Sequence, residues 1–417
     1  MQPRGESERA SPGRGGPLAQ AADTFALPHY PRLWLSNLIQ FVCFQIQSLS
    51  LQWLVTTLTP SRTALGLLGF VQGGTMAVAS PGAGVVVDRY SKRNLIVAGR
   101  LGIAAIGLSV ALLAHTESIA FWHLLIAGVI GGSLASLMNP ASQTYVFDVV
   151  GRTRIHSAVA LNAMGSSFGH TGGAALAGVL IAAIGIVGAF ASASTALLLA
   201  AGLVLAIPIR GLGATGQKRS ALSELGEVLA YVRSNPPVLL ALVGCSMAIF
   251  NGAVSPMRPI FARHVLEVGS EGFGAMAASH GVGTIVAALA VTLFPLRRNL
   301  GIWIVGTMLA FAVGLLLYSF AFSFAWVLGA EFWLGLTGQV WNVAAVTGFQ
   351  LAVPERMRGR VLALMYALVQ LGFVGIFAAG ALADVVGDQV ALGTFGALPT
   401  LILASVLALG WRTLKRM

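Results

Sequence analysis

Charge is scarce in this chain, since only 9% of its 417 residues are Asp, Glu, Lys or Arg. A soluble protein of this length carries far more charge on its surface. Here 56% of the residues are hydrophobic, and the mean hydropathy is +0.83. The composition therefore excludes a soluble fold and predicts an integral membrane protein.

Cysteine is also scarce, and its two occurrences, Cys43 and Cys245, fall inside predicted membrane helices. A disulfide framework is therefore not expected, and packing is the predicted role of both. The sequence has no Cys/His metal-ligand spacing and no Walker-type phosphate loop. It also lacks the clustered acids, His and Ser that a polytopic membrane acyl or glycosyl transferase needs. We predict a protein that is not an enzyme, with no cofactor and no metal; the transferase is the alternative class that these absences oppose.

Long apolar runs recur along the chain. A bilayer core about 30 Å thick takes roughly 20 residues per helical crossing, and continuous runs of that length favour helices over barrel strands, which alternate apolar and polar residues. We predict an all-α integral membrane fold with twelve transmembrane helices in two six-helix halves. The predicted spans are residues 33–55, 64–87, 95–114, 121–140, 157–183, 187–209, 238–257, 273–294, 300–320, 324–349, 361–383 and 390–411.

Four segments follow from this pattern. Residues 1–31 are rich in Gly, Pro, Ser and Arg and are predicted to be a disordered cytoplasmic tail. Residues 32–209 and 238–417 are the two helical halves, and residues 210–237 are a cytoplasmic linker whose apolar residues recur at helical spacing, as in an amphipathic helix. An offset of 207 residues superposes Gly128 on Gly335 and Asp148 on Glu355, which favours two repeated halves.

The positions of Lys and Arg predict the orientation. Only Arg62, Arg258 and Arg263 fall in loops of one side, and the other basic residues are assigned to the opposite side, which the positive-inside rule makes cytoplasmic. Both termini are then cytoplasmic, in a multi-pass protein of the cell (cytoplasmic) membrane. The same asymmetry accounts for the net charge of +11, so no nucleic-acid partner is predicted. The bilayer and a small-molecule solute are the expected partners of a monomer.

A charged hairpin between two apolar runs is the most informative motif. It resembles the loop between helices two and three of the major facilitator superfamily, Gly-x-x-x-Asp-Arg-x-Gly-Arg/Lys-Arg/Lys, with Ser91 in place of the usual Gly. The matching residues are Gly84, Asp88, Arg89, Lys92 and Arg93. In that family the loop is a conformational gate, and the resemblance implies that Asp88 engages the other half when the inner side is closed.

A second block, residues 353–361, with the glycines that follow it, resembles the enterobactin-exporter-like branch of that superfamily, the transmembrane secretion effectors. Glu355, Arg358 and Arg360 would then complete the inner gate. In helix five, the Arg and the Gly-Pro usual in that branch are replaced by His170 and by Gly173 followed by Ala. The resemblance implies export of a hydrophobic or amphiphilic metabolite such as a siderophore or antibiotic; uptake and facilitated diffusion stay open.

Polar residues inside the predicted spans are the candidate site residues. Glu331 is the leading candidate for carrying a coupling proton, with a structural ion pair as the alternative, because an ionised carboxylate in a span must be paired or face a cavity. Asp384 and His170 are the next proton-coupling candidates. Neutral amides predict a polar but nearly uncharged substrate cavity. These amides are Gln45, Gln52, Asn139, Gln143, Asn162, Asn251, Gln339 and Asn342.

The predicted orientation can be tested by labelling from outside intact cells in a cysteine-free background. Because Glu117 falls in a predicted outer loop and Lys92 in a cytoplasmic one, a thiol introduced by Glu117→Cys should react with an impermeant maleimide, and one introduced by Lys92→Cys should not. The reverse pattern would contradict the orientation.

Overall fold

A computed structural model describes residues 22–211, 221–294, 296 and 298–417, with the side chains in those ranges other than those at 81, 85, 88, 156, 221–225 and 356. The described residues form helices joined by short connections, and no strand occurs among them. The first half contains α1 (Tyr30–Leu58), α2 (Arg62–Arg89), α3 (Lys92–His115), α4 (Phe121–Val150) and α5 (Ile155–Leu205). Next come α6 (Ala221–Ser234), α7 (Pro236–Ser246), α8 (Val254–Ile260), α9 (Gly269–Leu293), α10 (Leu300–Phe320), α11 (Phe324–Ala352), α12 (Glu355–Gln370), α13 (Gly372–Val386) and α14 (Asp388–Leu414).

Within the described residues, ten helical segments are long and apolar enough to cross a membrane. The longest of them, in α5, turns at Gly185, whose φ of 71° is open to glycine at little cost, so it supplies two arms. Helix α11 has 29 residues but is not among the ten, because Glu331 and several amides lower its hydropathy. When the two arms are counted separately and α11 is added, the ten segments correspond to the twelve predicted crossings. The count of twelve stays a prediction.

The segment Pro236–Val265 is irregular in its middle. A 3₁₀ stretch, Met247–Ala253, joins α7 to α8, and a π turn, Phe261–Val265, follows α8. Pro256 and Pro259 lack the N–H that a regular helix needs, which explains the change of hydrogen-bonding pattern around α8. The sequence interpretation ended a span at residue 257 and assigned Arg258 to an outer loop. That assignment was wrong: Arg258 lies in α8, inside the membrane segment.

The two halves make equivalent contacts. Gly128 of α4 packs against Leu68 and Val71 of α2, and its predicted counterpart Gly335 of α11 packs against the backbone of His280 in α9. Since α2 and α9 are the second crossings of their halves, these glycines lie at matching helix pairs. The contacts support the repeat inferred from the 207-residue offset.

Two close helix contacts join the halves, both near the predicted outer face. The first arm of α5 meets α9 at Gly178, where an added Cβ would lie 2.6 Å from Gly274 Cα. Helix α13 meets α2 at Gly380, where an added Cβ would lie 2.5 Å from the Arg62 carbonyl oxygen. Glycine is needed at both positions because any side chain would force the helices apart.

Parts of the tail and linker pack against the helical halves. Residues 1–21 and 212–220 lie outside the described residues. Within the segment assigned to the tail, Phe25 packs edge-on against Tyr30 and Trp34, with ring centroids 5.6 and 5.2 Å away. These contacts attach Phe25 to the start of α1, and disorder of the tail stays a prediction. In the linker, α6 buries Val228 and Val232 against the second half.

Candidate functional site

Three adjoining cavities lie between and within the halves; together they are called the central cavity. One of about 350 Å³ lies mainly within the first half but also contacts Ser255 and Ile376 of the second. A second, of about 680 Å³, shares Gln40 and Asn139 with it and runs toward the inner ends of α4 and α5. A third, of about 490 Å³, lies in the second half and shares Ser255 with the first.

The eight predicted amides all line this cavity. Gln52 and Asn139 line the first part, and Asn139 also lines the second together with Gln143 and Asn162. The third part is lined by the remaining four residues, Gln45, Asn251, Gln339 and Asn342. Polar side chains in an apolar helix face the protein interior because lipid cannot satisfy their hydrogen bonds. Amides of different helices therefore meet in the same interior cavity. Their contact with a substrate stays a prediction.

Glu331 is buried within a cluster of ionisable groups. Its two carboxylate oxygens each accept a 2.8 Å hydrogen bond from Arg258, from Nε and from Nη2, and His280 Nδ1 lies 3.2 Å from Oε2. Arg258 and His280 line the third part of the cavity, whereas Glu331 is fully buried behind them. The ion pair that the sequence analysis gives as the alternative is therefore present, and proton carriage by Glu331 stays a prediction.

The other two proton-coupling candidates have different surroundings. His170 lines the first two parts of the cavity, where its ring lies 5.3 Å from Phe41 and 6.1 Å from Phe44. Asp384 is outside the cavity lining, at the predicted outer ends of α2 and α13. Of the three, only His170 lines the cavity, and Glu331 is separated from it by Arg258 and His280.

Asp384 links the two halves by capping α2. Its oxygens accept 2.8 Å hydrogen bonds from the backbone N–H groups of Arg62 and Thr63 and further bonds from the hydroxyls of Ser61 and Thr63. The Arg62 guanidinium in turn makes a two-pronged ion pair with Asp388, at 2.9 and 3.1 Å. This group, here called the outer latch, holds the halves together at the predicted outer face.

Three basic residues of the predicted inner gate contact their own half or the linker helix. Lys92 Nζ pairs with Asp148 at 2.8 Å, and Arg93 donates to the Ile207 carbonyl, both within the first half. Arg360 pairs with Glu227 of α6. Of the remaining gate residues, Gly84, Arg89 and Glu355 are exposed, Arg358 is half-buried, and the side chain of Asp88 lies outside the described ones. The described contacts close the outer face at the outer latch, and the closure of the inner gate stays a prediction.

Sequence reasoning did not single out Arg100, Arg258 or His280 as candidate site residues. Arg100, which the charge count assigned to the cytoplasmic side, lies about two turns from the start of α3 and is fully buried. A single Arg within a continuous apolar run was the available signal, because such residues are rare and mark functional positions. Arg258 gave no such signal because the prolines around it resemble a loop.

Two helical halves around a shared cavity define a membrane transporter of the major facilitator type. A bacterial homolog of the human lysosomal transporter Spinster, in an inward-facing and unoccupied conformation, aligns with 95% of this chain and 98% of its own at a TM-score of 0.70 and 15% identity. The nucleoside transporter NupG covers 92% of this chain and 99% of its own at a TM-score of 0.72 and 11% identity. These likenesses concern the fold.

The chain belongs to the transmembrane secretion effector family, whose model matches residues 19–416. It is a transporter and not an enzyme. The enterobactin exporter EntS of Salmonella typhimurium strain LT2 is 25% identical over 343 residues, which cover 80% of each protein. EntS of Escherichia coli O6:K15:H31 is 26% identical over 343 residues with the same coverage.

The outer latch can be tested by removing its carboxylate. Replacing Asp384 with Ala should favour opening at the outer face, because loss of a helix cap costs about 0.5 to 2 kcal/mol. The corresponding population shift is roughly two- to thirtyfold. The measurement is the rate at which an impermeant maleimide, added outside, reacts with a thiol introduced in the cavity by Ser48→Cys in a cysteine-free background.

The matched control for this experiment is Glu117→Ala, which removes an exposed carboxylate from a loop of the same face. The labelling rate should rise in the Asp384 variant and stay at the parent value in the control. Equal rates in the parent and the Asp384 variant would show that the latch does not hold the halves together.

Proposed function

We propose that this transporter exports a hydrophobic or amphiphilic small molecule, such as a siderophore or antibiotic, across the cytoplasmic membrane in exchange for protons. Both termini would face the cytoplasm, and one chain would be the functional unit. The curated relatives support the direction of transport, since they are named enterobactin exporters. Residues 32–209 and 238–417 would move as the two halves, with 210–237 linking them.

The observation that carries alternating access is the asymmetry of contacts between the halves. Near the predicted outer face, glycine contacts and the outer latch join them. At the predicted inner ends, Lys92 pairs with Asp148 of its own half and Arg360 pairs with Glu227 of the linker helix. A transporter that binds solute at the midplane exchanges two such closures. We infer that the hairpin around Asp88 closes the inner side in the opposite state.

The cavity lining supports a solute with an apolar body and hydrogen-bonding groups. In the first part, Phe41, Phe44 and Met76 lie beside Gln52 and Asn139. Sites for small molecules combine a mainly apolar lining with a few polar groups that fix the orientation. A small inorganic ion would find few of the charged ligands that it needs in this part of the cavity.

Proton coupling is assigned to Glu331, acting through its ion pair. Protonation of Glu331 would remove the charge that holds Arg258, a residue that also lines the cavity. His280 contacts both the cavity and the carboxylate and can pass the proton between them. Protonation and solute binding would thus be coupled through one side chain, Arg258.

The substitution Glu331→Gln tests this assignment. The variant mimics the protonated carboxyl, so gradient-driven efflux should fall to background, while exchange of solute at equal pH on both sides should survive. A whole-cell efflux screen with and without an uncoupler identifies the solute, and the two rates are then compared in reconstituted vesicles. Glu267→Gln makes the same change at an exposed loop acid and should leave both rates unchanged.

Folding needs a separate check, because removing one partner of a buried ion pair costs about 3 to 5 kcal/mol. The double variant Arg258→Gln, Glu331→Gln leaves no unpaired charge and shows whether a loss of protein comes from Arg258. If the Glu331 variant drives uphill efflux as well as the parent does, the coupling proton is carried elsewhere. Asp384 and His170 are then the next candidates.

A further inference from the structure

Arg100 is a buried cation without a carboxylate partner. Its side chain is the largest of those that are fully buried in the described structure. Among the described side chains, no Asp or Glu oxygen lies within ion-pair distance of its guanidinium. An Arg in a membrane segment is costly and stays protonated, so its retention at this position needs an explanation beyond packing.

Every hydrogen-bond partner of Arg100 among the described residues is a neutral acceptor. Its Nε donates to Gln40 Oε1 at 2.7 Å and its Nη2 to Asn37 Oδ1 at 2.8 Å. Its Nη1 donates to the hydroxyl of Ser36 and, at 3.1 Å, to the Ala200 carbonyl oxygen. The donors of the guanidinium are therefore satisfied, but its charge is not cancelled.

The guanidinium fixes the direction of two amide side chains. Because it has donors and no acceptor, an amide that contacts it must turn its oxygen inward and its NH₂ group away. Gln40 contacts Arg100 in this way and lines the first two parts of the cavity. Its Nε2 has no hydrogen-bond partner among the described residues, so this donor is available to a solute.

A second series of hydrogen bonds runs from Arg100 through two amides, Asn37 and Asn162, and also ends with a free NH₂ group. Asn37 turns its oxygen to Arg100, and its Nδ2 donates to Asn162 Oδ1 at 3.1 Å. The NH₂ group of Asn162 is therefore the free end of this chain, and Asn162 lines the same part of the cavity as Gln40. Both chains start at a buried positive charge, which polarises them at low dielectric, and both end with a donor at the cavity.

The other ionisable residues that line the cavity are basic. Among the described residues that line the three parts of the cavity, none is a carboxylate, whereas Arg258, His170 and His280 are present. The buried Glu331 already has Arg258 as its ion-pair partner. The positive charge of Arg100 is therefore not offset nearby, and low-dielectric walls focus such a field into the cavity.

We propose that Arg100, acting through Gln40 and the Asn37–Asn162 chain, gives the central cavity a positive potential, and that the solute is an amphiphilic organic anion. Its charged oxygen accepts hydrogen bonds from Gln40 and Asn162, and its apolar body lies against Phe41 and Phe44. Arg100 is a positioning residue, since it orients the donors without lining the cavity itself. That this anion is the cargo rests on the export function proposed above, whereas the potential does not depend on turnover.

The electrostatic potential of the cavity can be measured without knowing the transported solute. A thiol is introduced by Ser166→Cys, at a residue that lines the same part of the cavity as Asn162, in the full-length protein lacking Cys43 and Cys245. In detergent, its reaction rates are measured with sulfonatoethyl methanethiosulfonate, an anion, and with the trimethylammonioethyl analogue, a cation of similar size. The ratio of rates is divided by the ratio for a free thiol, at about pH 8, where histidine is neutral.

The parent should favour the anionic reagent by roughly tenfold over the free thiol. Arg100→Met should abolish the preference, and Arg100→Lys, which keeps the charge, should restore most of it. Gln40→Glu should also abolish it, because the carboxylate pairs with Arg100 in place. If Arg100→Met does not fold, Gln40→Glu alone tests whether the charge of Arg100 causes the preference. The control Thr144→Val changes a polar side chain of the same cavity part that is not bonded to Arg100, and it should keep the parent ratio.

The proposal is overturned if the parent shows no preference for the anion, or if Gln40→Glu and Arg100→Met both keep the parent ratio. A protein that has the predicted ratios but no uncoupler-sensitive efflux would refute the export function and leave the potential of the cavity intact. The two proposals therefore fail separately.

Discussion

The absence of water from the hydrocarbon core of a membrane is the constraint on which this structure depends. Backbone groups must be satisfied within helices, and any charge in a crossing must face the interior and find partners there. Arg100, Arg258 and Glu331 all obey this requirement. Their partners differ, however: Arg258 and Glu331 neutralise each other, and Arg100 has only neutral acceptors. The same constraint thus produces a coupled ion pair in one half and an uncancelled charge in the other.

The contact between the halves must be stable enough to close one face but weak enough to open again. A transporter must hold two states within a few kcal/mol of each other, so neither closure can be strong. The outer latch suits this requirement because Asp384 caps a helix of the other half and is exposed to solvent. Glycines at α2, α5, α9 and α13 let the backbones meet without interlocking side chains. Such smooth surfaces can separate and close again without repacking a core.

Much of the fold could be predicted because membrane helices leave a strong local signal. Apolar length predicted the spans, and amides within those spans could face only the interior, which is why Gln52, Asn139 and Asn251 line the cavity. Relations between distant segments had no local signal. Asp384 caps residues more than 300 positions earlier in the chain, and Arg100 is held by α1 and the second arm of α5. Arg258 was misassigned because Pro256 and Pro259 interrupt the apolar pattern of its segment.

Alternating access is the central claim, and paired distance measurements test it most directly. Spin labels at Glu117 and Gln389 report on the outer ends of the two halves, and labels at Tyr90 and Leu351 report on the inner ends; all four positions are exposed. In lipid nanodiscs, acidification or addition of a transported solute should lengthen the outer distance and shorten the inner one in the same fraction of molecules. Inner and outer distances that change independently, or that lengthen together, would contradict the account.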